Sequence, residues 1–165
     1  QLRRGSIANV FTGPPKNKSD DEGFTRYFMS LVGQKIICGG TSADIISKHS
    51  GYKLIIDDFN KNPLVPPSFK MESIDLVSEG EITLNQLYNL LDENDLEPDE
   101  DNPVTELLEF LSISDRINFF VGQSVNEGKD NFKFKQIGII PRNKIVPMIA
   151  EKLKSKDKLI VLEKI

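Results

Sequence analysis

The sequence is poor in cysteine, and the shortage excludes much. Cys38 is the single cysteine among 165 residues, so no intrachain disulfide can form. That usage fits a reducing compartment, and a cytoplasmic location is expected. Long apolar runs are missing as well. Nothing approaches the ~20 residues of a membrane span, and Gln1-Leu2-Arg3-Arg4-Gly5-Ser6 lacks the apolar core of a signal peptide. Positive charge is not in excess. With 21 Lys and Arg against 25 Asp and Glu, the net charge is −4, which argues against nucleic acid and anionic membrane as partners. The chain has no Gly-Lys-Ser/Thr phosphate loop and no full Gly-x-Gly-x-x-Gly dinucleotide fingerprint. It opens on Gln1 rather than Met, which suggests a domain cut from a longer chain, or a processed one.

What remains is an ordinary globular composition, 38% hydrophobic and 28% charged. A chain of this length buries roughly 70% of its unfolded surface. Its most telling stretch is Lys35-Ile36-Ile37-Cys38-Gly39-Gly40-Thr41-Ser42-Ala43-Asp44-Ile45-Ile46. A β-branched run, two glycines, Thr-Ser and an apolar helical pattern read as strand, tight turn and helix. Glycine lets the backbone turn with φ > 0 and lets a ligand approach the main chain. Thr41 is expected to cap the helix, with Asp44 completing an acidic capping box. The free N–H groups and dipole of that helix start favour an anion.

Other elements follow from punctuation and period. Ile7 to Thr12 reads as a strand running into the basic loop Gly13-Pro14-Pro15-Lys16-Asn17-Lys18. Ser19-Asp20-Asp21-Glu22 reads as a capping box, with Phe24, Tyr27, Phe28 and Leu31 at helical spacing and Gly33 as the stop. The helix after Gly40 closes at Gly51. Lys53 to Ile56 and Ile74 to Val77 read as strands, separated by a proline-rich crossing loop from Asn60 to Phe69. A helix opens at Thr83, with Leu84, Leu87, Tyr88 and Leu91 on one face. The acidic run from Asp92 to Asn102 reads as a solvated linker. Pro103 then opens a helix with Val104, Leu107, Leu108 and Leu111 buried. Ile117 to Val121 is a strand and Asn126 to Gln136 a long loop. Arg142 to Lys154 is a helix in which Pro147 is tolerable only near the first turn. Lys158 to Leu162 is the last strand.

Strands alternating with helices, several of them apolar throughout, predict a single α/β domain over residues 1–165. It is expected as a three-layer sandwich with a mostly parallel, doubly wound (Rossmann-like) sheet of about six strands. Ligands bind such sheets at the carboxyl ends of the strands. Four of those ends carry small or polar loops: Thr12-Gly13-Pro14-Pro15, Cys38-Gly39-Gly40-Thr41-Ser42, Ser78-Glu79-Gly80 and Val121-Gly122-Gln123-Ser124. Thr12, Gly13, Gly39, Gly40, Thr41, Ser42, Glu79, Gly80, Gly122 and Gln123 are therefore the candidate ligand-binding residues.

Several residues admit two readings. The glycines, Thr41 and Ser42 cradle a phosphate or carboxylate, or simply form a capped helix after a tight turn. Glu79 accepts ribose hydroxyls, binds a cation or acts as a base, or is a solvated turn residue. Asp75 supports Glu79, or is the polar start of a buried strand. Cys38, ahead of a helix start, is either a thiol of lowered pKa or a small buried apolar residue, and no motif places a histidine to activate it. His49 faces the negative end of its helix dipole or has a catalytic role. Asp20, Asp21 and Glu22 serve the helix start or a metal. Lys16 and Lys18 are solvated or reach an anion on the rim.

The same four loops carry a resemblance. Thr12-Gly13-Pro14-Pro15 with Asp20-Asp21-Glu22, Ile37-Cys38-Gly39-Gly40-Thr41, Ile74-Asp75-Leu76-Val77-Ser78-Glu79-Gly80 with Thr83-Leu84, and Phe120-Val121-Gly122 with Asn126 resemble the region after the phosphatase domain of bacterial SpoIIE-like serine phosphatases. The resemblance spans nearly the whole chain. The family's phosphatase holds manganese or magnesium with aspartates in Asp-Gly and Gly-Asp-Asp motifs, which this sequence lacks. The family's loop after the last glycine strand includes a histidine, and Asn126 to Asn131 holds none. The resemblance implies a non-catalytic regulatory or ligand-sensing domain with no metal and no cofactor of its own. Its expected partners are the phosphatase domain of the same chain and a small anionic metabolite or nucleotide. The alternatives are a transferase or hydrolase acting on a phosphorylated small molecule, with Glu79 as base, or a protein-docking domain.

Overall fold

The structure, a computed structural model, describes residues 5–57, 63–93, 102–124 and 138–165. The chain opens with β1 (Ile7–Thr12), a 3-10 turn (Lys18–Asp20) and α1 (Asp21–Ser30). Next come β2 (Gln34–Cys38), α2 (Gly40–Ser50), β3 (Leu54–Asp57), β4 (Ser68–Met71) and β5 (Leu76–Ser78). The second half holds α3 (Glu81–Leu90), α4 (Pro103–Ile113), β6 (Arg116–Val121), α5 (Arg142–Lys154) and β7 (Leu159–Lys164).

The strands form one seven-stranded sheet in the order β3-β4-β5-β2-β1-β6-β7. The expectation of about six strands is therefore corrected to seven. The extra strand is β4, which runs antiparallel to both neighbours and begins within the last two residues of the stretch expected to be loop. The other pairings, β5-β2, β2-β1, β1-β6 and β6-β7, are all parallel. The antiparallel strand makes the sheet mixed, within an α/β architecture compatible with a Rossmann-like sandwich.

Strand alternation sends successive side chains to opposite faces. Ala8 and Val10 of β1 pack with Leu84 and Leu87 of α3, Leu107 and Leu111 of α4, and Ile145, Ile149 and Leu153 of α5. Phe11 faces the other way, with Phe28 of α1, Ala43 and Ile46 of α2, and Phe120 of β6. There Phe11, Phe24, Phe28 and Phe120 interlock with ring centroids 4.7 to 6.1 Å apart, which seats α1 on the sheet.

Local signals are met in some places and corrected in others. Gly51 caps α2 in the left-handed region at φ 82°, as expected. Asn102 accepts the Val104 N–H ahead of Pro103 at the start of α4. The expected capping box at Ser19 does not form: Ser19 and Asp20 are taken up in the 3-10 turn, and Asn17 Nδ2 donates to Asp20 Oδ2 at 3.0 Å. Gly33 does not stop α1, which ends at Ser30. Its need for glycine comes instead from φ 105° and from the Ile7 carbonyl, which a Cβ there would strike. Helix α3 starts at Glu81, two residues ahead of Thr83. Pro147 falls in the second turn of α5, where both it and Asn143, whose carbonyl it cannot bond, are exposed. Most of the acidic linker and the whole Asn126–Gln136 loop lie outside the described residues.

Candidate functional site

The carboxyl ends of β5, β2, β1 and β6 stand next to one another in the sheet, so the four small-residue loops share one rim. Thr12 is level with Val121, and Cys38 with Ser78. From β1 the chain winds one way through β2 towards β5, whereas β6 lies on the other side of β1 and leads to β7. The ends of β1 and β6 thus flank the topological switch, where sheets of this kind bind ligands.

Backbone contacts fix the rim. Gly39 takes φ 140° and donates its N–H to the Ser78 carbonyl at 2.8 Å. It is Gly39, not Thr41, that occupies the cap position of α2, and no side chain caps the helix. Thr41 is exposed within the first turn, which corrects the expected capping role. The first helical bond runs from Ala43 N–H to the Gly39 carbonyl. The N–H groups of Gly40, Thr41 and Ser42 precede it and face outward from the helix start. A Cβ at Gly40 would meet open space. Ser42 is buried, and its Oγ accepts the Gly13 N–H at 2.8 Å, locking α2 to the loop after β1. Gly122 donates to the Thr12 carbonyl at 2.9 Å, and a Cβ there would drive into the carbonyls of Gly13 and Pro14. Gln123 turns away into its own surroundings: its N–H meets the Ile165 carbonyl and its Nε2 the Val121 carbonyl.

The side chain at the centre of this rim is Arg142. It stands first in α5, and its Nε–H donates to Thr12 Oγ1 at 2.9 Å. Its Nη1 lies against Gly13 and its Nη2 against Gly80: a Cβ would stand 2.6 Å from the former and 3.5 Å from the latter. Neither Nη group donates to any of the described residues. Partial burial pulls the guanidinium pKa below its ordinary value, while Glu81, Glu79 and Cys38 act in the opposite sense. Helix α3 sets the residue in place. Glu81 Oε1 accepts the Arg142 N–H at 3.3 Å, and one turn on, Asn85 clasps the Ile140 backbone. Asn85 Nδ2 donates to the Ile140 carbonyl and its Oδ1 accepts the Ile140 N–H, both at 2.9 Å. Glu79 Oε2 accepts the Ile82 N–H at 3.0 Å, so this carboxylate also braces the start of α3.

The other candidates are resolved by position. Cys38 is buried, and burial pushes its thiol up to about 12, which settles it as a small apolar core residue. Asp75 lies at the amino end of β5, where its carboxylate accepts the Lys35 N–H at 2.7 Å, away from Glu79. His49 sits at the far end of α2, on an open cleft of about 510 Å³ with Glu22, Arg26, Lys35 and Tyr52. Glu22 pairs with Arg26, both exposed, and Lys16 and Lys18 are exposed. Among the described residues no three His, Cys, Asp or Glu side chains gather as a metal site, and no helix is long and apolar enough to cross a membrane.

Sequence reasoning reaches the loops but misses Arg142 and Asn85. A faint signal exists for the first. Arginine opening a helix opposes the macrodipole, and an unfavourable placement of that kind calls for a compensating partner. No family model, curated protein or solved structure matches this chain.

Proposed function

We propose that this chain is a ligand-binding regulatory module, cytoplasmic and non-catalytic, that holds a small anionic molecule on the rim formed by β1, β2 and β5. The observation that carries the reading is the guanidinium of Arg142. It is half-buried, fixed by Thr12, set over Gly13 and Gly80, and has both Nη groups free of acceptors among the described residues. Such a fork binds carboxylate or phosphate oxygens in pairs. The open backbone at Gly40, on the start of α2, offers further N–H donors to the same anion. The resemblance of the loop motifs to the region after the phosphatase domain of SpoIIE-like phosphatases supports a place beside such a domain, whose output the bound ligand would adjust.

A thermal-shift screen of nucleotides, sugar phosphates and acyl carriers tests the reading, because a ligand that binds only the folded state raises its stability. At least one small anion is expected to raise the melting temperature of the wild type and not of Arg142→Gln. A screen in which no anion acts, or acts equally on both proteins, removes the rim as an anion site. Metal-dependent phosphatase turnover by this chain would contradict the non-catalytic part.

A further inference from the structure

Arg142 stands near two carboxylates with which it does not pair. Glu79 and Glu81 both influence its charge, yet among the described residues no carboxylate oxygen lies within 4.0 Å of the guanidinium. Arginine and glutamate that are free to meet close into a bidentate pair. Here each group is anchored elsewhere. Glu79 Oε2 holds the Ile82 N–H at 3.0 Å, Glu81 Oε1 holds the Arg142 main chain at 3.3 Å, and Arg142 Nε is held by Thr12 at 2.9 Å. The result is one positive and two negative groups, fixed and held apart, above a floor of Gly13, Gly39 and Gly80. A simple anion would satisfy the guanidinium while sitting beside two like charges. A molecule with an ammonium and a carboxylate on one carbon would satisfy both ends and add no net charge.

We infer that the rim takes a small zwitterion of the α-amino acid type, its carboxylate on Nη1 and Nη2 of Arg142 and its ammonium on the Glu79 oxygen that Ile82 leaves free. This rests on the reading of Arg142 as the anchor of an anionic group and makes that group the carboxylate of a molecule with no net charge.

L-Alanine and L-lactate make the test, because they differ by an ammonium in place of a hydroxyl. Each is titrated into the ¹⁵N-labelled protein, with inorganic phosphate as a third probe, and the Arg142 Nε–H resonance is followed. L-Alanine is expected to bind roughly tenfold more tightly than L-lactate, the scale of one added charge-assisted contact. In Glu79→Gln, whose amide oxygen can still accept the Ile82 N–H, that preference should vanish while lactate binding persists. Lactate or phosphate binding as tightly as alanine in the wild type overturns the zwitterion and leaves the anion site standing. A resonance unmoved by all three probes overturns both.

Discussion

Arg142 Nε donates to Thr12 Oγ1 at 2.9 Å, joining the first turn of α5 to the end of β1 across 130 residues of chain. Thr12 is itself fully buried, so this bond fastens a helix on one face of the sheet to an inner strand. Thr12→Val keeps the shape and removes the acceptor. Loss of a hydrogen bond to a charged, half-buried group should cost about 1–2 kcal/mol in urea unfolding. The Arg142 Nε–H should exchange faster with water in the variant. An unchanged unfolding midpoint would mean that the bond carries no net stability.

Two rim glycines should respond in opposite ways. At Gly122 a Cβ meets the carbonyls of Gly13 and Pro14, and neither backbone can retreat without parting β1 from β6. Gly122→Ala is expected to lose about 3 kcal/mol or more. Gly40 faces open space, so Gly40→Val should change stability by less than about 0.5 kcal/mol. Its side chain would nonetheless stand where the ligand approaches, and anion affinity should fall at least about tenfold, or 1.4 kcal/mol. Urea melts and titrations on folded protein read the two effects separately.

The buried thiol predicts a pH dependence. Cys38 has its pKa raised from 9.0 to about 12, first by burial, so the folded state keeps its proton where the unfolded chain gives it up. Its stabilising effect is fully present below pH 9 and is lost as pH rises towards 12. Between pH 9 and 10 the wild type should lose up to about 1.4 kcal/mol per pH unit more than Cys38→Ala does. Parallel stability curves for the two proteins would refute this. At pH 8 the folded thiol should resist a disulfide reagent that labels the unfolded chain at once.

A polar chain crosses the sheet at the other end. Asn9 is fully buried in β1, donates to the carbonyls of Val32 and Gln34, and accepts from Asn118 Nδ2 at 2.9 Å. Arg116 Nε in turn donates to Asn118 Oδ1 at 2.9 Å. Asn9→Leu strands the Asn118 amide and should cost about 2 kcal/mol. Glu22→Gln, which breaks an exposed ion pair with Arg26, should cost less than about 0.5 kcal/mol. Equal effects of the two substitutions in thermal melts would contradict this ranking.

What was legible in the sequence was local. The apolar run of β1, the Gly51 cap, and Asn102 with Pro103 each act through neighbours a few residues away, and each occurs as expected. The four rim loops were legible because strand ends in an α/β pattern fall on one edge. Strand β4 was not: its four residues carry no visible period, and only pairing with β3 and β5 makes them a strand. Arg142 was hidden for the same reason. Its partners are Thr12, Gly13, Gly80 and Glu81, and nothing near it in the chain announces them. Thr41 misleads because a good capping residue follows two glycines, and the φ of 140° at the first glycine places the helix cap two residues earlier.

The place of β1 between β2 and β6 bears on how the chain is made. Its β2 side is paired early, but its other side waits for β6, where Asn118 meets Asn9 across 109 residues. At ~5–20 residues added per second, a ribosome leaves that side open for roughly 5 to 20 seconds. A β1 formed in that interval would hold Val10 and Phe11 in an apolar strand with one row of backbone groups unpaired, a template for joining a neighbouring nascent chain. That edge of β1 would need shelter during translation, and the yield of well-folded protein would then depend on how quickly the ribosome reaches residue 121 as well as on how stable the finished sheet is.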